Sequence, residues 1–327
     1  MNRQRKYLVL FLTVNLLFAF FLVSFGAEDH NSTAVLFELS PDARIRGLGG
    51  TFIGLADDVS STIYNPAGLG FNRGFGVVTA YNDQYRKIGY NSVLVGLGPL
   101  GLAGMRLASD PIEATNQYGV STGETLSYSS TGLAGGLGFS NKTFGLSLGG
   151  HGISLGAGFR AYSSDLYLTK GEGYSFSLAG LYRRSFGSGS YLQLGFVVPG
   201  SDIVDPSYFD FPLGKVSYRD SSGTVVHEEE FSGPFGVGAA LGLQEAQGIV
   251  TRLALDWREE SGLRAGLEQK FWFLAGRVGF RTSGSITVGA GIDLSDFGFV
   301  EKMRIDGAYD WQRELGGAWI LSFGIGL

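Results

Sequence analysis

The chain has 327 residues, a net charge of −5 and a pI near 5.3, and its basic residues are scattered, which excludes the basic patch of a nucleic-acid binder. With 53 glycines, 17% charged residues, 13% aromatics and a mean hydropathy of +0.12, it fits neither an ordinary soluble enzyme nor a helical membrane protein, because beyond the N-terminus no apolar run approaches the roughly 18–20 residues of a membrane helix. The absence of cysteine removes disulfides, thiolate nucleophiles, thiolate metal sites and a lipid-modified N-terminal cysteine.

Arg3, Arg5 and Lys6 precede an apolar run over 7–23, and Ser24-Phe25-Gly26 offers small residues where a signal peptidase reads. This is the layout of a secretory signal, assigned to 1–27, with an uncleaved anchor as the other reading. Residues 28–72 follow as a distinct segment. Within it, 43–69 packs five glycines, the pair Asp57-Asp58, a short helix-compatible run and Asn65-Pro66-Ala67-Gly68, and reads as neither signal nor strand.

Residues 73–327 are dominated by period two, which sends alternate side chains to opposite faces of a strand. Trp319, Leu321, Phe323, Ile325 and Leu327 share one face against Ser322, Gly324 and Gly326. Leu253, Leu255 and Trp257 oppose Arg252, Asp256 and Arg258; Leu263, Ala265, Leu267 and Phe271 oppose Arg264, Glu268 and Lys270. Val278 and Phe280 oppose Arg277 and Arg281, and Met303, Ile305, Tyr309 and Trp311 oppose Arg304, Asp306, Asp310 and Gln312. Most regular runs span nine to twelve residues, longer than the five or six of a soluble sandwich. The expected fold is therefore all-β: a transmembrane antiparallel β-barrel with a polar lumen, whose closure removes exposed edges.

Runs bounded by turn signals give fifteen strand candidates, including 143–149 between 125–139 and 152–168. Single-chain bacterial barrels carry an even number, so the expectation is about fourteen, within a range of 12–16. Long connections at 109–124 and 200–230 against short turns elsewhere match a barrel with its long loops outward. Tyr81, Tyr85, Tyr90, Trp257, Trp272, Trp311 and Trp319 lie near run ends, where interfacial girdles form.

Several motifs match catalytic patterns in letters only. Gly96-Leu97-Gly98-Pro99-Leu100-Gly101 has the G-x-G-x-x-G spacing but a turn proline and no following helix, and Gly152-Ile153-Ser154-Leu155-Gly156 lies inside a glycine-rich strand. His30, His151 and His227 lack neighbours at metal-ligand spacing. The charges Arg252, Asp256, Arg258, Arg264, Glu268, Lys270, Arg277, Arg281, Arg304, Asp306 and Asp310 read as a lumen wall and not as acid-base machinery, because a lipid face cannot hold them. The expectation is no enzyme, no catalytic residue, no cofactor and no metal.

Gly47-Leu48-Gly49-Gly50, Ala56-Asp57-Asp58-Val59-Ser60-Ser61 and Tyr64-Asn65-Pro66-Ala67-Gly68-Leu69 form an ordered string that resembles the N-terminal signature of the FadL/TodX outer-membrane transporters of hydrophobic compounds, and equally that of the related PorV-like group. The resemblance covers about 28 residues. It implies a short helical hatch folded inside a fourteen-stranded barrel in a bacterial outer membrane, with Gly49, Gly50, Asp57, Asp58, Asn65, Pro66, Ala67 and Gly68 as hatch or gating residues. The string also suits a plug on physical grounds: Asp57 or Asp58 can cap a short helix, and Pro66 stops chain continuation. The implied function is passive uptake of hydrophobic small molecules such as long-chain fatty acids; the alternative is a PorV-like role in protein secretion or surface attachment. The implied partners are outer-membrane lipid, a hydrophobic ligand, and secretion-system or surface proteins. Tyr208, Phe209 and Phe211 of the long 200–230 connection are the capture candidates. The chain departs from the FadL-like pattern in its shorter loops and its C-terminal Leu327.

Overall fold

The computed structural model describes residues 35–84, 86–187, 189–203, 213–231, 233, 235–259, 261–294, 302–312 and 316–326. The signal assignment at 1–27 and the capture candidates Tyr208, Phe209 and Phe211 fall outside these residues.

The alternating segments form strands in chain order. β1 (Phe75–Gln84), β2 (Ile88–Leu97) and β3 (Leu100–Ser109) precede a short pair, β4 (Ile112–Thr115) and β5 (Ser121–Leu126). β6 (Tyr128–Ser140), β7 (His151–Leu166), β8 (Thr169–Ser185) and β9 (Tyr191–Pro199) lead to a second short pair, β10 (Lys215–Arg219) and β11 (Val225–Glu230). β12 (Gly236–Ala246), β13 (Ile249–Arg258), β14 (Gly262–Phe271), β15 (Leu274–Arg281), β16 (Ser285–Asp293), β17 (Lys302–Gln312) and β18 (Gly316–Gly326) complete the chain.

Fourteen of these strands close into an antiparallel barrel. β8 pairs with β9, β9 with β12, and β18 returns to β1 through a register from Gly76↔Gly326 to Gln84↔Ala318, so no edge is left open. β1 starts and β18 ends at one rim, called here the terminal rim. The long connections leave the opposite, loop rim. One carries the β4–β5 hairpin. The other carries β10–β11, which extends the wall by pairing Val216 with Gly173 on the protruding part of β8. The expected strand at 143–149 is instead a turn: Gly145, Gly149 and Gly150 take positive φ (72°, 58° and 86°), which turns the backbone out of the extended path. The two short hairpins were hidden because neither buries an apolar face long enough to alternate.

The faces fall as period two dictates. Leu253, Leu255, Trp257, Ile305, Tyr309, Trp311, Trp319 and Leu321 are exposed on the outside, while Asp256, Arg258, Arg264, Glu268, Asp306 and Asp310 are buried inside. An apolar exterior around a charged interior is the inverse of a soluble barrel, and no helix among the described residues is long and apolar enough to cross a membrane. Tyr81 and Trp319 touch on the outer surface with ring centroids 5.5 Å apart. Tyr90 does not belong to a girdle: its parity with Ser92 and Leu94 turns it inward, where it is fully buried.

The hydrophobic core also lies inside the barrel. Residues 35–72 run through the lumen as α1 (Val35–Glu38), α2 (Ala43–Gly47), α3 (Ser61–Tyr64) and a 3-10 turn (Pro66–Phe71), separated by tight turns. Helices of 4, 5 and 4 residues make this a strapped coil and not a helical domain. Leu36, Phe37, Ile45, Leu48, Phe52, Leu55 and Tyr64 pack against inward Tyr90, Leu94, Met105, Tyr162, Leu181 and Phe231. Inward glycines let backbone meet backbone: a Cβ on Gly279 would overlap the Gly49 nitrogen, and one on Gly156 would overlap Ala67.

Candidate functional site

The charged wall and the luminal segment form one interlocked site. Arg44 of α2 is its hub. Its guanidinium gives two hydrogen bonds to Asp57, at 2.7 and 3.0 Å, one to Asp58 at 3.1 Å, and one from Nε to Glu268 of β14 at 3.0 Å. Glu268, almost fully buried, also accepts from Arg252 Nη1 at 2.5 Å and Arg277 Nε at 2.7 Å. Arg304 of β17 bonds Asp58 at 3.0 Å and Asp42, and lies 3.2 Å from Asp306, which pairs with Arg277 at 2.7 Å. Taking these charges out of water is costly unless each is paired, and here each carboxylate has at least one guanidinium. Asp57 and Asp58 therefore act mainly as ion-pair partners. The expected helix cap is provided differently: Ser60 is the N-cap of α3 and makes no side-chain cap bond, while Asp58 Oδ1 accepts from Ser60 N at 2.8 Å.

A second cluster lies deeper in the lumen. Asp310 takes Arg46 at 2.7 Å, Arg281 at 2.9 Å and the Ser285 hydroxyl. Toward the loop rim Glu38 meets Arg264 at 3.0 Å and Arg258 at 3.7 Å. Burial by itself raises the Glu38 carboxyl, but the Arg264 and Arg258 guanidiniums overcome it and hold the group down at about 2. Lys270 pairs with Asp293 nearer the terminal rim.

Backbone anchors complete the attachment. The Asp256 carboxylate accepts the consecutive amides of Phe52, Ile53 and Gly54 at 2.6, 2.8 and 3.2 Å, an anion-type nest turned on a wall residue. Thr287 accepts Gly49 N at 3.0 Å and donates to Gly47 O at 3.2 Å, and Ser322 accepts Ala43 N at 3.2 Å. Gly49 and Gly50 adopt φ of 70° and 80°, and a Cβ on Gly49 would press on the Phe280 backbone. Arg258 donates to Gly50 O at 3.2 Å, Arg281 to Gly49 O at 3.1 Å, and Arg160 to Ile63 O at 2.8 Å.

Asn65-Pro66-Ala67-Gly68 is a second anchor, on the opposite wall. Asn65 caps the 3-10 turn by accepting from Ala67 N at 3.1 Å, and its amide donates to Ile53 O at 2.8 Å, tying the two halves of the segment together. Pro66 begins that turn at its first position, where the missing N–H costs nothing, so it starts an element as well as ending α3. Ser154 of β7 donates to Ala67 O at 2.6 Å and Ser140 of β6 to Gly70 O at 2.6 Å. Gly68 has no room for a side chain: a Cβ would overlap the Ala56 carbonyl.

Sequence reasoning missed Glu38, Asp42, Arg44 and Arg46, which supply the segment's side of several ion pairs, and Arg160, which holds Ile63 O from β7. A signal was present: charged residues inside a glycine-rich segment headed for a lumen need counter-charges of comparable number.

The segment divides the lumen. On the loop side is an aromatic cluster, with Phe231 5.6 Å from Phe37 and 5.7 Å from Tyr162. At the terminal rim is a vestibule of about 490 Å³ bounded by Arg44, Asp57, Asp58 and Arg304 and opening past Phe75, Gly98 and Gly326. Among the described residues no His, Asp and Glu cluster has the arrangement of a metal site. His227 bonds Glu229 at 3.0 Å on the exposed β11.

A closed barrel with an apolar exterior, a charged wall and its own N-terminal segment strapped across the lumen is a plugged membrane-spanning β-barrel. The Ralstonia pickettii toluene transporter TbuX has this fold, at a TM-score of 0.53 and 9% identity over 88% of this chain and 98% of TbuX. So do the CymD monoaromatic hydrocarbon channel (0.52, 8%, 88% and 98%) and a deltaS2S3 mutant of the TodX monoaromatic hydrocarbon channel (0.50, 12%, 88% and 99%). At such identities the likeness is one of fold. No protein-family model and no curated protein matches the sequence.

Proposed function

We propose that the protein is a passive channel for small hydrophobic molecules in a bacterial outer membrane, with 43–69 as its gate. The observation that carries this reading is the charged vestibule at the terminal rim, cut off from the loop-side aromatic cluster by a luminal segment that is tied to the wall through many polar contacts as well as apolar packing. These contacts are separate from the strand-to-strand ladder, so the segment can shift while the hydrogen-bonded wall stays closed. An apolar solute would meet the aromatic cluster of Phe37, Tyr162 and Phe231 and move on when the segment yields, driven by its own gradient and needing no cofactor. The solved barrels of the same fold are described as toluene and monoaromatic hydrocarbon channels, which supports this class of solute; long-chain fatty acids are the longer members to test. No observation favours a role in protein secretion or surface attachment.

The cysteine-free chain permits a direct test. A Cβ on Gly76 would stand 4.0 Å from the Val59 Cβ, within the roughly 3.5–4.5 Å of a disulfide. In proteoliposomes, oxidised Val59→Cys/Gly76→Cys should lose uptake of labelled toluene or oleate, and reduction should restore it. Uptake unchanged by the crosslink rejects the gate; no uptake by either form rejects transport.

A further inference from the structure

We infer that the outer wall carries a phospholipid site: an apolar groove across β7–β9 and β12–β14 that ends on an arginine-histidine-tyrosine cluster at the terminal rim. This inference is independent of what crosses the lumen and rests only on the barrel spanning a membrane.

The groove has a volume of about 580 Å³, inside the roughly 300–1,000 Å³ typical of ligand sites. Outward Leu155, Leu194, Phe196, Val237, Leu255 and Trp257 line it. Its floor is low because two outward positions carry almost no side chain: Gly180, on which the Phe196 ring lies, and Ala239. A gap among bulky neighbours on a lipid-facing wall fits a flexible acyl chain.

The polar end follows from strand register. Ile153 and Tyr182, which line the groove, are cross-strand partners, and the next outward pair toward the terminal rim is His151 with Arg184. Arg184 Nη1 lies 2.8 Å from His151 Nε2, and His151 Nδ1 lies 2.7 Å from the Tyr182 hydroxyl. A guanidinium can only donate, so Nε2 accepts, the ring proton sits on Nδ1, and the Tyr182 oxygen receives it. The Tyr182 O–H is then directed onward, and Arg184, held at one N–H, keeps the rest of its fork. Arg184 is exposed, and no carboxylate among the described residues bonds it. A positioned guanidinium and a hydroxyl donor at the end of an apolar groove complement a phosphate diester that carries acyl chains. The occupant is therefore a membrane phospholipid, whose phosphate answers the Arg184 charge; a second barrel presents to the groove an apolar wall with no anion to meet it.

The test uses native mass spectrometry of the delipidated full-length barrel titrated with dioleoyl phosphatidylglycerol. Dioleoylglycerol and inorganic phosphate serve as separate probes, and heat-modifiable gel migration checks folding. One phosphatidylglycerol should be retained per barrel, with neither control retained as strongly. Arg184→Ala should weaken retention about tenfold, the scale of one charge-assisted phosphate contact, with partial recovery in Arg184→Lys. Ala239→Trp, which fills the groove without touching the cluster, should weaken it comparably. Equal retention by Arg184→Ala and wild type, equal binding of dioleoylglycerol, binding of inorganic phosphate alone, or a dimer mass that Ala239→Trp abolishes would each overturn the site.

Discussion

Arg44 and Glu268 stand 224 residues apart in the chain and 3.0 Å apart in the lumen, joining the luminal segment to the wall at a buried carboxylate. Glu268 has two further guanidiniums from the wall itself, so the segment supplies only the third. The attachment can therefore be weakened without leaving the wall uncompensated.

Arg44→Ala tests this. Glu268 keeps Arg252 and Arg277 and Asp58 keeps Arg304, whereas Asp57 is left with Arg252 at 3.9 Å. Breaking a buried pair costs about 3–5 kcal/mol, and the partly open Asp57 places this one toward the lower figure. Amide exchange should accelerate across 43–58 while the barrel keeps its heat-modifiable migration. Unchanged protection there would show that Arg44 does not hold the segment.

Asp256→Ala removes the shared acceptor of three buried amides. Each orphaned donor costs about 1–3 kcal/mol before water enters. The expected result is loss of protection at residues 52–54 and easier cleavage of the segment by added protease, with Asp256→Asn intermediate because its amide oxygen still accepts.

Gly279→Ala places a methyl group on the Gly49 nitrogen, which is backbone and cannot rotate away. The segment should shift from β15 while the barrel still forms, because the strand itself tolerates alanine. In the crosslinking pair at 59 and 76, disulfide yield should fall relative to the same pair with Gly279 intact.

Acid should loosen α1 first. Glu38 is held at about 2, below its ordinary 4.5, so its contribution is fully present above pH 4.5 and is lost as pH falls toward 2. Exchange at residues 36–38 should rise over that window, and Glu38→Gln should abolish the pH dependence. A midpoint at 4.5 or above would contradict the pairing with Arg264 and Arg258.

Reading the strands from sequence worked wherever one face meets lipid. Leu321, Phe323 and Ile325 alternate with Ser322, Gly324 and Gly326 because the medium outside differs from the wet lumen inside, and that contrast is local to the chain. It failed at 143–149, where glycine-rich sequence still looked extended and only positive φ values revealed the turn. It failed again at Tyr90, whose place near a run end said nothing of its inward parity.

The site was legible in part. The string from Gly47 to Leu69 marked the segment, and the alternating charges from Arg252 to Asp310 marked the wall facing it. Their pairing was not legible. Asp57 and Asp58 lie where a helix cap would, and nothing local shows that Arg44 takes both. By itself the sequence determined the faces and the closed all-β class, because each depends on periodicity within a few residues, and it marked Gly47–Leu69 as a segment apart from the strands, whose place in the lumen only the resemblance implied. Only the tertiary structure decided that Asp256 cradles Phe52–Gly54, that Glu268 binds Arg44 and that Thr287 clasps Gly47 and Gly49. Those contacts span more than 200 residues, and they exist only once fourteen strands have closed around the segment.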